Sequence, residues 1–258
     1  MENPMQASRA KGVDSARRVL QILLSFTEAS PEVTVEQIAA RYEISIPSAY
    51  RYIALLRELY LIEERRRGVY TLTAQLFRLA GVAESFLDIG AIGKPVLERI
   101  VEETHETTLI LRRVKDSVLC VASVIPDKPA TISFKPGHLM PLHKGAGPKV
   151  LLAAALPEKR EKHFRKLEQV MPKEEVDELR SELALVSKLN HAISASEVDE
   201  GIYAVAAPIV VEGRTIAALS IAGLEFRLDD AAKDKLLEQV KRGASEIAAL
   251  VLEEEHSE

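Results

Sequence analysis

Cysteine is nearly absent: Cys120 is the only one in 258 residues. This excludes an internal disulfide and any thiolate-rich zinc centre, and it leaves Cys120 to be read as a small buried hydrophobe in a strand. Long apolar runs are missing as well. No stretch reaches the roughly 18 uninterrupted apolar residues a membrane helix needs, and the opening MENPMQASRAKG lacks the apolar core of a secretory signal. The six histidines are scattered and show no metal-ligand spacing, so neither a metal nor a cofactor is expected. These absences point to a soluble, cytoplasmic protein without a membrane partner.

Positive charge is also in short supply, with a net charge of −5. Its distribution matters more than its sum. Residues 1–75 hold ten Lys/Arg against nine Asp/Glu, whereas residues 76–258 hold 24 against 30. The first part is therefore +1 and the second −6. A modest basic patch suffices for nucleic acid where each subunit touches few phosphates and a dimer doubles them. The length suits one small and one medium domain, and a hydrophobic fraction of 47% is ample for two packed interiors.

Along the chain, Asp14 or Ser15 can cap a helix with Val19, Leu20, Leu23, Leu24 and Phe26 at helical spacing. After the break at Ser30-Pro31, Thr34-x-x-Gln37 fits a capping box opening a short second helix. Ser45 can cap a third helix, with Pro47 in its first turn and Ala49, Tyr52, Ile53, Leu56 and Leu59 on its buried stripe. Two strand-like runs follow, 61–63 and 69–72, joined by a charged tip Arg65-Arg66-Arg67-Gly68. Three helices and a hairpin are the order of a winged helix-turn-helix, assigned to residues 13–73.

Residues 74–90 place Leu76, Leu79, Ala80, Ala83, Phe86 and Leu87 on one stripe, which predicts a linker helix whose apolar face is covered by self-association. Residues 91–258 mix strands and helices. A helix runs to about Glu103, and hairpins turn at Lys115-Asp116 and Glu212-Gly213. A short strand is expected at Thr131–Phe134. Helices are expected near 147–155, 158–168, 174–189 and 229–253. This is the α+β pattern with a mainly antiparallel sheet.

In a helix-turn-helix, the start of the second helix meets base edges in the major groove. That exposes Ser45, Ile46, Pro47, Ser48, Tyr50 and Arg51. Hydroxyls and Arg51 can bond bases or phosphates, and Ile46 and Pro47 suit a thymine methyl. Thr34 offers a helix N-terminus to a phosphate. Arg65, Arg66 and Arg67 suit phosphates or the minor groove. Singly, each feature is only a cap or solvated charge; in this order and spacing they point to double-stranded DNA.

The stretches VDSARRVLQILLSF, VTVEQIAARYEIS, SAYRYIALLRELYLIE and YTLT resemble the DNA-binding half of the IclR family of bacterial transcriptional regulators. PLHKGAGPKVLLA (Pro141–Ala153) resembles that family's leucine-histidine-alanine-threonine-alanine-x-glycine-lysine-alanine loop. EGIYAVAAPIVVEGRTIAALSIAG (Glu200–Gly223) resembles its glycine-x-x-cysteine-x-alanine-x-proline hairpin. The resemblance implies a GAF-like C-terminal domain that binds a small organic acid, and a homodimer or homotetramer on operator DNA. By position it places Leu142, Gly145, Ala146 and Gly147 on one wall of the effector pocket and Ser194, Ala204 and Ser220 on the other. Independently of the resemblance, Lys144-Gly145-Ala146-Gly147 ahead of a helix can present free backbone amides to a carboxylate. Gly145 stands where the family has a Thr or Ser hydroxyl, Pro148 where it has Gly, Ala204 where many members have Cys, and Ser194 where some have an acid. A roomier, less polar pocket for an aromatic or branched acid is then expected.

Two other readings compete. One is a DNA-binding protein whose C-terminal domain only oligomerises. The other is an enzyme processing small acids with His143, Lys144 and Lys149. The second is disfavoured because GAGPK is followed by Val150, which breaks the phosphate-loop pattern. No catalytic Ser/His/Asp arrangement is visible either, and His143 reads as a structural loop residue.

Overall fold

Two side-chain caps organise the start of the chain. In the computed structural model, which describes residues 13–27, 30–79, 89–128 and 131–256, Thr34 and Gln37 form the full capping box. Gln37 N–H donates to Thr34 Oγ1 at 3.3 Å and Thr34 N–H to Gln37 Oε1 at 2.9 Å. Such a cap contributes about 1 kcal/mol. Helix α1 is Asp14–Leu23, α2 is Val35–Arg41 and α3 is Ile46–Glu58. Ser45 caps α3, and Pro47 sits in its first turn as expected. The cap of α1 differs: Val13 holds that position with no side-chain bond, so neither Asp14 nor Ser15 serves.

Ala49, Ile53 and Leu56 of α3 pack with Val19, Ile22, Val35, Ile38, Ile62 and Tyr70 in one core. On α1 the buried pair is Val19 and Ile22, whereas Leu20 and Leu24 are 56% and 78% exposed. Leu59, expected on the buried stripe of α3, is likewise exposed. Three strands complete this unit: β1 (Glu32–Thr34), β2 (Ile62–Arg66) and β3 (Val69–Leu72), in the order β1-β3-β2. Strand β1 was not expected; Val33 pairs with Tyr70 and buries beside it. The wing tip is also shorter than expected. A bulge between Glu64 and Arg66 keeps Arg65 and Arg66 within β2, leaving Arg67 and Gly68 (φ +74°) to turn. The next helix, α4, is described from residue 75 to residue 79. The rest of the expected linker stripe, from Ala80 to Leu87, lies outside the described residues.

The chain divides into two units, Met1–Leu87 and Asp88–Glu258. The second is built on a six-stranded antiparallel sheet, order β6-β5-β4-β9-β8-β7. Its strands are β4 (Thr107–Val114), β5 (Ser117–Val124), β6 (Leu139–Pro141), β7 (Ala192–Ala195), β8 (Ile202–Val211) and β9 (Arg214–Leu224). Helices α5 (Ile89–Thr104) and α9 (Asp230–Glu255) cover one face. Helices α6 (Ala146–Ala153), α7 (Pro157–Leu167) and α8 (Lys173–Leu189) accompany the other.

Alternation assigns side chains to faces. Val205, Ala207 and Ile209 of β8 and Ala217, Leu219 and Ile221 of β9 turn toward α5 and α9. Ala204, Ala206 and Ala218 turn toward α6. With both faces covered, these strands read as near-continuous apolar runs. The strand expected at Thr131–Phe134 is coil, and β6 forms after it. Pro136 has no amide to donate, and Lys135–Gly137 turns with Gly137 at φ +94°. Pairing with β5 therefore begins at that turn, where Gly137 N–H donates to Cys120 O at 2.8 Å and Cys120 N–H to His138 O at 2.9 Å. Cys120 itself is buried in β5, and burial pushes its thiol up to about 12.

Candidate functional site

The exposed start of α3 gathers a polar surface. Ser45 Oγ lies 2.9 Å from Ser48 Oγ, and Arg51 donates to Ser48 Oγ at 3.1 Å. Ser45, Ile46, Pro47, Tyr50 and Arg51 are exposed and Ser48 is half-buried. Ala49 and Ile53, one residue or one turn away, anchor the opposite side in the core. Thr34 caps α2, at the helix N-terminus expected to meet a phosphate.

The wing arginines are not equivalent. Arg66 donates to Glu32 Oε2 at 2.9 Å and Arg65 to Glu32 Oε1 at 3.4 Å, so a carboxylate of β1 neutralises part of the wing. Arg67, at the tip, has no ion pair among the described residues. Sequence reading missed Glu32 because it lies more than thirty residues from its partners.

The second site is a cleft in the sheet-and-helix unit. Its floor is the α6-facing side of the sheet, with Leu109, Leu111, Ala204, Ser220 and Ala222. Phe134 and Met140 close one side, and Val198 and Ile202 close the other. The polar end is formed by Lys144, Gly145, Ala146 and Ser194. Of the seven residues expected there, Gly145, Ala146, Ser194, Ala204 and Ser220 line the cleft. Leu142 is wholly buried in the core, and Gly147 packs against the sheet instead. A Cβ on Gly147 would come within 2.3 Å of Leu111 Cδ1, so α6 sits too close to β4 for any other residue to fit without repacking. The apolar walls from β4, β6 and the 131–138 segment were not anticipated. Only the pairing of β4 with β9, a hundred residues on, brings them here.

Two of the four amides expected to be free at this end, those of Gly145 and Ala146, are already bonded. Gly145 N–H donates to Glu197 Oε2 at 3.1 Å and Ala146 N–H to Ser194 Oγ at 3.1 Å. Gly145 adopts φ +91°, ψ 156°, a region almost exclusive to glycine. The hydroxyl residue found in the family at this position does not suit this backbone. The cleft has an internal volume of about 30 Å³ in this conformation. An apolar cavity of about 150 Å³ takes up benzene, so this conformation is too narrow for an aromatic ring.

His143, beside the cleft loop, has its ring centroid 5.9 Å from that of His163. His163 Nδ1 is 3.5 Å from Asp116 Oδ1, which is not a formed hydrogen bond, and neither of its ring nitrogens has a hydrogen-bond partner among the described residues. Burial lowers the pKa of both histidines, although Asp116 pulls that of His163 upward. Among the described residues no cluster of three His, Cys, Asp or Glu could hold a metal ion, and no helix is long and apolar enough to cross a membrane.

A capped helix pair with a wing is followed by a sheet domain with an apolar cleft, an order that suits a DNA-binding regulator. The family comparisons make this specific. Residues 15–66 match the IclR helix-turn-helix domain, and residues 82–249 match the bacterial transcriptional regulator IclR C-terminal domain. The chain belongs to the IclR family of DNA-binding transcriptional regulators. It is 24% identical over 231 residues to the HTH-type transcriptional regulator KipR of Bacillus subtilis, covering 88% of this chain and 92% of that one. Its fold is similar to that of an IclR family transcriptional regulator from Brucella abortus, with a TM-score of 0.81, 18% identity and 96% of each chain covered. It is also similar to an IclR homolog from Microbacterium hydrocarbonoxydans complexed with 4-hydroxybenzoate. There the TM-score is 0.77 and the identity 21%, over 92% of this chain and 98% of that one.

Proposed function

We propose that this regulator's affinity for its operator is set by a small aromatic or branched organic acid bound in the cleft. The observation that carries the reading is the cleft's polarity. Apolar side chains such as Leu109, Leu111, Phe134 and Met140 make up most of it, and the polar groups converge at one end around Lys144, Gly145 and Ser194. That is the arrangement an amphiphilic acid requires. The relative complexed with 4-hydroxybenzoate supports the choice of ligand class. Ser45, Ile46, Pro47, Ser48, Tyr50 and Arg51 are assigned to bases and phosphates, and Thr34, Arg65, Arg66 and Arg67 to the backbone of the duplex. The active species is a homodimer or homotetramer. The acid prefers one of its arrangements and shifts the population toward it.

The narrowness of the cleft favours one alternative, in which the C-terminal unit serves oligomerisation alone. A mobility-shift titration on the DNA upstream of this gene and its neighbours, with and without a panel of aromatic and branched acids, separates the two. The reading predicts that at least one acid changes both the DNA affinity and the melting temperature. No response from any acid gives the alternative.

A further inference from the structure

A carboxylate behind the lining already occupies one donor at the polar end of the cleft, the Gly145 amide. Glu197 accepts from Gly145 N–H at 3.1 Å through one oxygen and from Lys149 Nζ at 2.5 Å through the other. Lys149, its side chain only 5% exposed, has Glu182 as a second partner at 2.6 Å. Two carboxylates thus face one ammonium, and a third anion placed beside them meets like-charge repulsion. Of the donors near this end, Glu197 holds Gly145 N–H and Lys149, while Lys144 lines the cleft with no ion pair among the described residues. Glu197 also precedes Val198, a wall of the cleft, whose Cγ2 lies 3.0 Å from where a Cβ on Gly145 would stand. The carboxylate occupying the donors is therefore tethered to a wall that must move for the cleft to widen.

We propose that Glu197 is an internal stand-in for the effector's carboxylate. An acid enters by taking over Gly145 N–H and Lys149 from Glu197, and the released side chain carries Val198 and the connection between β7 and β8 away from the cleft. Lys149 then sets specificity, and Glu197 sets how tightly the acid is held. Only an anion can replace Glu197 on Lys149, so acids are admitted and their neutral isosteres are not, at the cost of lowering the acid's own affinity by competition. This inference rests on the acid-binding reading above.

The test is calorimetric titration of the full-length protein, wild type, Glu197→Gln and Glu197→Ala, with 4-hydroxybenzoate and with 4-hydroxybenzamide. Glu197→Gln is nearly isosteric and keeps an acceptor for Gly145 N–H, so it preserves the fold while removing the charge. Both variants are expected to bind the acid at least about tenfold more tightly, or about 1.4 kcal/mol, with the affinity for the amide unchanged. Hydrogen exchange over residues 196–201 is expected to rise when the acid binds the wild type. Acid binding that is no tighter in Glu197→Gln overturns the proposal, as does an equal gain for acid and amide, which would signal only a loosened loop. Equal binding by wild type and variants sinks this inference alone. No binding of the acid to any of the three proteins, together with no response to the wider acid panel, removes the acid-binding reading and this inference with it.

Discussion

Glu32→Gln is expected to strengthen DNA binding although it changes a residue that need not touch DNA. Glu32 accepts from Arg66 at 2.9 Å and from Arg65 at 3.4 Å, and the two arginine side chains are 71% and 70% exposed. Ion pairs in that setting are screened by solvent and contribute about 0.2–1 kcal/mol each. Both together oppose phosphate binding by about 0.4–2 kcal/mol, equivalent to a 2- to 30-fold loss of affinity per subunit. Removing the charge releases two guanidinium groups into the field of the duplex. Each additional phosphate neutralised steepens the dependence of log K on log salt by about one. Fluorescence anisotropy of a labelled operator, titrated at several KCl concentrations, reads both quantities. The variant is expected to bind more tightly at low salt, with a slope steeper by one to two per subunit (about 0.9 per phosphate). Unchanged affinity and slope, with the helical spectrum intact, would mean that the wing does not approach the phosphates.

Two further outcomes follow from the cleft region. Gly145→Thr restores the hydroxyl of the family's loop but places a β-branched residue at φ +91° with Val198 against its Cβ. It is expected to destabilise the C-terminal unit by about 1–3 kcal/mol, lowering its melting temperature by several degrees; a melting temperature at or above that of the wild type would show that the strain is relieved. Burial lowers the folded-state pKa of His163 below its ordinary value of 6.5, so the unfolded chain takes up the proton first. The stability this histidine contributes is full above about pH 6.5. It is lost as the pH falls through that value, until the folded form also protonates. Urea unfolding between about pH 5 and 8 should show a shallower pH dependence in His163→Gln than in the wild type, and identical slopes would contradict the burial argument.

The parts of the fold legible in the sequence are those fixed by near neighbours. Thr34 and Gln37 are three residues apart, as are Ser45 and Ser48, and each pair forms its cap locally. The β8–β9 hairpin turns at Glu212 and Gly213, both at positive φ, where the Glu-Gly pair marked it. Strands β1 and β7 escaped because three or four residues carry too little periodicity, and their partners decide them: Val33 needs Tyr70, and Ile193 needs Val205. Leu20 and Leu24 matched a helical stripe yet remain exposed, because spacing alone does not say which side of α1 the core of Ile22 and Val19 takes. In the cleft, the glycine-rich turn could be read directly. The hydrogen bond that closes it could not, since Glu197 lies 52 residues beyond Gly145. Leu111 was hidden as a wall because the pairing of β4 with β9 is what brings it there.

Operator recognition by this protein depends on the exposed start of α3. Footprinting and quantitative mobility shifts of Arg51→Ala against wild type, on the upstream operator region, test this most directly. Loss of a bidentate base or phosphate contact is expected to weaken binding by about 1–3 kcal/mol per subunit, with unchanged thermal stability because, among the described residues, Arg51 bonds only to Ser48 on the exposed surface. A wild-type footprint at wild-type affinity would contradict the assignment of α3 as the recognition helix.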